Sequence, residues 1–264
     1  MIDGQRHRLF VRFRKFAFIC SLLLTAYNSG SQAKEVTLPD ETIRESAPSS
    51  TDTSLNSTAF DKVRSMVASD RAAILSKYNY LDSQHQVPTK ALEDAVIYWD
   101  QNKVKFGNVN YITIINFAQN SKEKRFYIVD MNKGGVWALH TAHGKGSDPN
   151  HDGFARYFSN NSGSNESSLG FYKTAETYNG SHGLSLRLDG LSSTNSNARE
   201  RAIVIHGASY VQEASVNQGR SWGCPAVSMD VRSKVIDALK NGSLIYAVVD
   251  TGGTNRNNSA LALR

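Results

Sequence analysis

Two cysteines and five prolines are few for 264 residues. So few thiols exclude a disulfide-stapled scaffold and any zinc module built on cysteine clusters. Long apolar stretches are also missing. The run Phe16–Tyr27 has 12 residues, short of the ~20 that a membrane-spanning helix needs. The chain does carry enough apolar residues for a core, 40% of the total, so it is not disordered throughout. Its formal net charge is +6.

Most of that charge sits at one end. Arg6, Arg8, Arg12, Arg14 and Lys15 precede the apolar run, and Ser31-Gln32-Ala33 follows it with small residues. A basic head, a short apolar run and a small-residue exit form a secretory signal, with cleavage expected after Ala33. Cys20 lies inside the run, so it is not placed as a lipid-attachment cysteine. Residues 1–33 hold five Lys/Arg and Asp3, so the remainder has 25 basic and 23 acidic residues and a net charge of +2. That removes the case for a nucleic-acid partner. It also leaves one cysteine, Cys224, in a compartment that oxidises idle thiols. The expected location is periplasmic or otherwise extracytoplasmic, with no stable membrane insertion after cleavage.

Residues 34–57 are rich in Ser, Thr, Pro and acids without periodicity, and read as a flexible linker. Residues 58–107 read as a helical segment. A first helix is expected over 58–77, with Phe60, Val63, Val67 and Ile74 on one face. A second is expected over 89–101, with Thr89 as cap and Leu92, Ala95, Val96 and Trp99 inward. From residue 108 to 250 the pattern becomes strands: 111–117, 125–131, 136–141, 169–174, 184–188, 202–206 and 244–249. Lys133-Gly134-Gly135 supplies a turn. A helix over 229–240 points Val235, Ile236 and Leu239 inward, with Gly242 past its end. Residues 143–167 form a long Gly/Ser/Asn/Asp loop, and 251–264 a polar tail. The expected fold is mainly β with peripheral helices, two N-terminal and one near the C-terminus.

Cys224 lies in Gly219-Arg220-Ser221-Trp222-Gly223-Cys224-Pro225. This is a turn, not a core run. Gly223 lets the chain bend and bring amides near the sulfur, as a nucleophile with an oxyanion site requires. The plainer reading is a buried structural thiol. His206 ends the strand Ala202–His206, where an imidazole can reach a neighbouring loop and take a thiol proton. Its plainer reading is a backbone-bonded structural His.

In their order, Ser168–Tyr172, His182–Leu188, Ile203–Ala208 and then Gly219–Ser221 with Gly223–Ala226 resemble the YkuD-like L,D-transpeptidases, the murein cross-linking enzymes, and within them the murein L,D-transpeptidase catalytic domain family. The resemblance runs from about residue 108 to 249. It implies an L,D-transpeptidase-like β-sandwich and a two-step acyl transfer on peptidoglycan stem peptides. Cys224 would be the nucleophile and His206 the base. Backbone amides of Gly223 and Cys224 would form the oxyanion site, in a loop with Ser221 and Trp222. Release of the terminal D-alanine would leave a thioester, resolved by a second stem's amine to a 3–3 cross-link. Resolution by water would make an L,D-carboxypeptidase. The sequence departs from the wider family at Trp222, where a His is usual, and at Pro225-Ala226. Arg220 is a candidate for binding a substrate carboxylate, and His182 for lining the cleft. Other cell-wall enzymes are conceivable partners. No cofactor is expected.

Three rivals remain. His140, His143 and His151 are close in sequence but match no zinc spacing, and no metal is expected. Asp148–Gly153 imitates the start of a calcium loop, yet Ser159 stands where its final Glu belongs. A non-catalytic wall-binding module could use the Asn/Ser-rich loops and Trp222. The Cys-before-His order of papain-like peptidases is reversed here.

Overall fold

The computed structural model describes residues 65–252 and the backbone of Ala262–Leu263. The chain divides into two units, residues 1–48 and 49–264. The first lies outside the described residues, as do the expected signal segment, the linker and most of the tail.

The seven expected strands form, with shifted ends, and three short ones join them: β1 (Tyr111–Asn116), β2 (Phe126–Asp130), β3 (Val136–Leu139), β4 (Tyr157–Phe158), β5 (Gly170–Gly180), β6 (Gly183–Gly190), β7 (Val204–Ala208), β8 (Val227–Ser228), β9 (Leu244–Val248) and β10 (Ala262–Leu263). Two-residue β4, β8 and β10 are too short to show a period in sequence. Eight strands make one sheet in the order β3-β2-β1-β9-β5-β6-β7-β8. β9 runs parallel to β1, and β8 parallel to β7. β10 pairs with β4 separately.

The two ends of that sheet meet. The chain leaving β3 runs beside the chain entering β8: Ala142 N–H donates to the Ala226 carbonyl at 2.9 Å, and Ser221 N–H to the His143 carbonyl at 2.9 Å. The sheet is thus nearly closed, and residues 221–226 lie in its seam.

Period-two alternation assigns the faces. Ile112 and Ile114 of β1, with Leu244 and Tyr246 of β9, join the cluster under the helix α2 (Thr89–Asn102). Ile115, Ile245 and Ala247 face the other cluster, which α3 (Arg232–Leu239) closes with Val235, Ile236 and Leu239. Phe171 lies between Tyr98 of α2 and Tyr246, at ring separations of 3.8 and 4.4 Å. Each such pair adds about 1 kcal/mol beyond area burial. The helical segment and the strands therefore share one core.

Of the helix expected over 58–77, the described residues hold α1 (Ala68–Leu75), followed by a 3-10 turn at Ser76–Tyr78. Val67 lies outside it and is exposed. Ile74 packs against the core, while Phe60 and Val63 fall outside the described residues. Thr89 is the first residue of α2 and makes no capping bond. Asp250 supplies the acceptor instead, taking the Ala91 N–H at 3.0 Å. A carboxylate suits a helix N-terminus, but a partner 159 residues away leaves no local signature. Among the described residues no helix is long and apolar enough to cross a membrane.

Candidate active site

The turn that carries Cys224 is built by Ser221. Its hydroxyl donates to the Cys224 carbonyl at 2.7 Å and accepts the Gly223 N–H at 3.1 Å. The second bond engages the Gly223 amide, one of the two expected at an oxyanion site. Gly223 has φ +120°, and a Cβ there would lie 2.7 Å from the Glu166 carbonyl oxygen. Only glycine fits that close approach. Ser167, in the long loop, donates to the Gly223 carbonyl at 3.2 Å and accepts the Gly144 N–H at 3.0 Å. The turn is thereby fixed from both sides.

Cys224 is a free, half-buried thiol. Its sulfur lies 3.7 Å from the Ala202 carbonyl, at the lead-in to β7. Burial pushes the thiol up, while a backbone hydrogen bond from Val204 and the charge of Arg201 pull it back. His206 is buried two residues beyond Val204. Parallel pairing sets Gly207 opposite Val227, so thiol and imidazole belong to adjoining segments of one seam. Among the described residues no hydrogen bond joins them in this state.

The His206 Nδ1 lies 3.0 Å from the Gly207 carbonyl oxygen. A carbonyl only accepts, so Nδ1 carries the proton and Nε2 presents a lone pair. Burial pushes the imidazole down, the Gly207 bond opposes this, and His182 lowers it further. His182 is exposed and stacks on His206, with centroids 4.3 Å apart. Burial thus disfavours the charged form of the thiol and of the imidazole alike.

The remaining candidates divide. Trp222 is 79% exposed at the rim of the turn. Arg220 donates to the carbonyls of Asp148 (2.5 Å) and Pro149 (3.2 Å), so its guanidinium holds the loop beneath the turn. Below it, Arg125 donates to His143 Nδ1 at 2.7 Å, and His143 Nε2 faces Asp148 at 3.2 Å. Burial is the main cause that drives His143 down to about 4, although Asp148 opposes it. The neutral imidazole then bridges a cation and a carboxylate. Burial likewise brings Arg125 down to about 9.

Besides Ser167, Arg201 and Tyr210 stand at the site without having been flagged by the sequence. Arg201 lies beneath the turn and is felt by Cys224. Tyr210 packs on Gly219, whose N–H donates to its carbonyl at 2.8 Å. Burial, and then the Cys224 charge, push its phenol up to about 12. Tyr210 is four residues past His206, just beyond the end of β7, a spacing that could have flagged it. Arg201 gave no such signal, because it sits in a run of ordinary charges.

The three clustered histidines go separate ways. His140 pairs with Glu213, His143 with Arg125 and Asp148, and His151 with the Gln218 carbonyl. Asp148 accepts the backbone N–H groups of Asp152 and Gly153. Among the described residues no three His, Cys, Asp or Glu side chains converge as a metal set.

A mainly β domain that presents a glycine-turn thiol and a strand-borne imidazole with an open Nε2 has the parts of a nucleophilic acyl-transfer site. A family model described as L,D-transpeptidase catalytic domain matches residues 83–248, more than half of the chain, and the chain belongs to that family. Among solved structures it is similar to the L,D-transpeptidase of Xylanimonas cellulosilytica, at 12% identity and TM-score 0.33, over 53% of this chain and 61% of that one. It is also similar to Bd1075 of Bdellovibrio bacteriovorus, at 15% and 0.34, over 55% and 48%. For L,D-transpeptidase 1 of Mycobacterium tuberculosis the values are 15% and 0.29, over 52% and 61%. The match thus spans less than two thirds of those chains. Among curated proteins none matches.

Proposed function

We propose that the chain is an exported L,D-transpeptidase that joins peptidoglycan stem peptides through a thioester on Cys224. Membership of the family supports the wall substrate. The observation that carries the mechanism is the His206 Nδ1–H bond to the Gly207 carbonyl, which leaves Nε2 with a lone pair on a strand paired with the one that follows the cysteine turn.

Substrate binding brings the donor carbonyl, on the L-centre of the third stem residue, to the sulfur. His206 Nε2 takes the thiol proton as sulfur bonds to carbon. The oxyanion is held by the Cys224 N–H, on a turn whose shape Ser221 and Gly223 maintain. As the carbon–nitrogen bond breaks, His206 returns the proton to the departing D-alanine amine. An amine on a second stem then attacks the thioester, giving up its proton to His206. Carbon–sulfur cleavage frees the thiolate, which regains that proton. The product is a 3–3 cross-link. Trp222 and Tyr210 border the turn where the stems must lie. His182 backs the base. Arg220 serves by holding the loop.

In this reading residues 1–33 direct export, 34–57 tether the domain, and the enzyme works outside the cytoplasm. The test is intact-mass measurement of the purified chain with a disaccharide-tetrapeptide. A mass increment at Cys224 equal to the substrate less D-alanine supports the thioester. No acylation of Cys224 under conditions of turnover refutes it.

A further inference from the structure

Arg201 reaches four oxygens with one guanidinium. Nη1 donates to the Ser159 carbonyl at 2.6 Å and to Ser168 Oγ at 3.2 Å. Nη2 donates to the Glu166 carbonyl at 2.6 Å and to Ser164 Oγ at 3.3 Å. All four acceptors are neutral, and the Glu166 carboxylate acts on the guanidinium through its charge. Short bonds from an ionised fork to carbonyls are strong and directional.

That fork stands directly under the nucleophile's turn. The position a Gly223 Cβ would occupy is 3.3 Å from Arg201 Nη2 and 2.7 Å from the Glu166 carbonyl that Nη2 holds. The next residue along, Ala202, offers its carbonyl to the Cys224 sulfur at 3.7 Å, and does so in the left-handed region at φ 53°. A non-glycine residue kept there implies that its surroundings over-determine it. The Arg201 side-chain bonds constrain it together with the Ala202 N–H bond to the Arg199 carbonyl at 3.0 Å and the Ile203 N–H bond to the Ala198 carbonyl at 2.9 Å.

We propose that Arg201 is a positioning residue for the reaction at Cys224: it ties the 159–168 segment under the cysteine turn and supplies the fixed positive charge that favours the thiolate. The inference rests on the reading of Cys224 as nucleophile. Other charged or titratable groups act on the sulfur or Arg201 from the packed elements: Tyr172 on β5, Tyr210 after β7, and Glu166 in the long loop; His206 on β7, with His182 stacked on it, acts on neither. Of these, Arg201 alone carries a permanent positive charge. Desolvation lowers its affinity for the proton, but an arginine remains charged at neutral pH.

The test is the pH dependence of iodoacetamide alkylation, read on the Cys224 peptide by mass spectrometry so that Cys20 does not contribute. It needs no wall substrate, so a failure of the proposed cross-linking activity is distinguishable from a failure here. Arg201→Gln is expected to raise the alkylation midpoint by about one pH unit, which is about tenfold less thiolate at a fixed pH. Arg201→Lys keeps the charge and is expected to hold the midpoint near that of the wild type while the melting temperature falls. An unchanged midpoint in folded Arg201→Gln would overturn the proposal. If circular dichroism shows Arg201→Gln unfolded, Ser164→Asp decides. It sets a carboxylate against Nη2 and leaves both carbonyl bonds of Arg201 in place. A raised midpoint supports the proposal, and an unmoved one overturns it.

Discussion

The ring of His182 lies over that of His206, 4.3 Å between centroids and 25° between planes. One imidazole is exposed and the other buried. The outer ring covers the inner one and, when protonated, repels a second proton there. Removing it has a direction. Burial comes first among the causes that lower His206, and His182 adds to it. In His182→Ala the acid limb of kcat/KM is expected to move to higher pH. An acid limb that stays in place means the stack does not tune the base.

His206→Gln keeps a polar side chain but removes the Nε2 base. A fall of about 10²–10⁴ in kcat/KM is expected, with little change in melting temperature. In the wild type, activity should persist below the ordinary imidazole range of about 6.5 and fall only as the lowered His206 takes up a proton. A variant with unchanged kcat/KM would assign the base elsewhere.

Ser221→Ala deletes both bonds that shape the cysteine turn. Each is worth about 1 kcal/mol, so the melting temperature should fall modestly and turnover much more. Gly223→Ala should be worse, because the backbone stands at φ +120° and the new Cβ meets a carbonyl at 2.7 Å. Retained wild-type turnover in Gly223→Ala would show that the turn need not hold this shape.

His143 predicts how stability depends on pH. Its folded value of about 4 lies below the ordinary 6.5, so the unfolded chain binds more protons between those values. Stability therefore rises with pH across that window and is lost as pH falls from 6.5 towards 4. The loss amounts to about 3 kcal/mol at most. Urea unfolding at several pH values should show that slope, and His143→Gln should flatten it. An identical slope in the variant would place the acid sensitivity elsewhere.

Much of the fold was legible because its signals are local. β1, β2, β3 and β9 carry β-branched or aromatic runs, and Lys133–Gly135 forms the turn between β2 and β3, with Gly134 at φ 75°. Val235, Ile236 and Leu239 face inward as their spacing indicates. Non-local features were not legible. The Asp250 cap on α2 and the pairing of Ala142 with Ala226 depend on segments far apart in sequence. At the site, the turn around Cys224 announced itself through Gly223 and Pro225, whereas His206, expected to end its strand, lies mid-strand because β7 runs on to Ala208. Ser167, Arg201 and the Arg125–His143–Asp148 chain did not announce themselves. Their importance comes from what folding sets beside them. Arg220, a candidate substrate-binding cation by sequence, also ties the loop, its Nη1 donating to the carbonyls of Asp148 and Pro149.

The most direct test of the account is product analysis. The purified chain is incubated with a disaccharide-tetrapeptide wall fragment, beside Cys224→Ala, and products are read by liquid chromatography and mass spectrometry. The account predicts D-alanine release together with a 3–3 cross-linked dimer, both absent in Cys224→Ala. Tripeptide without dimer would replace cross-linking with hydrolysis at the same thiol. Unchanged fragment, or equal products from Cys224→Ala, would contradict the central claim that Cys224 carries the acyl group.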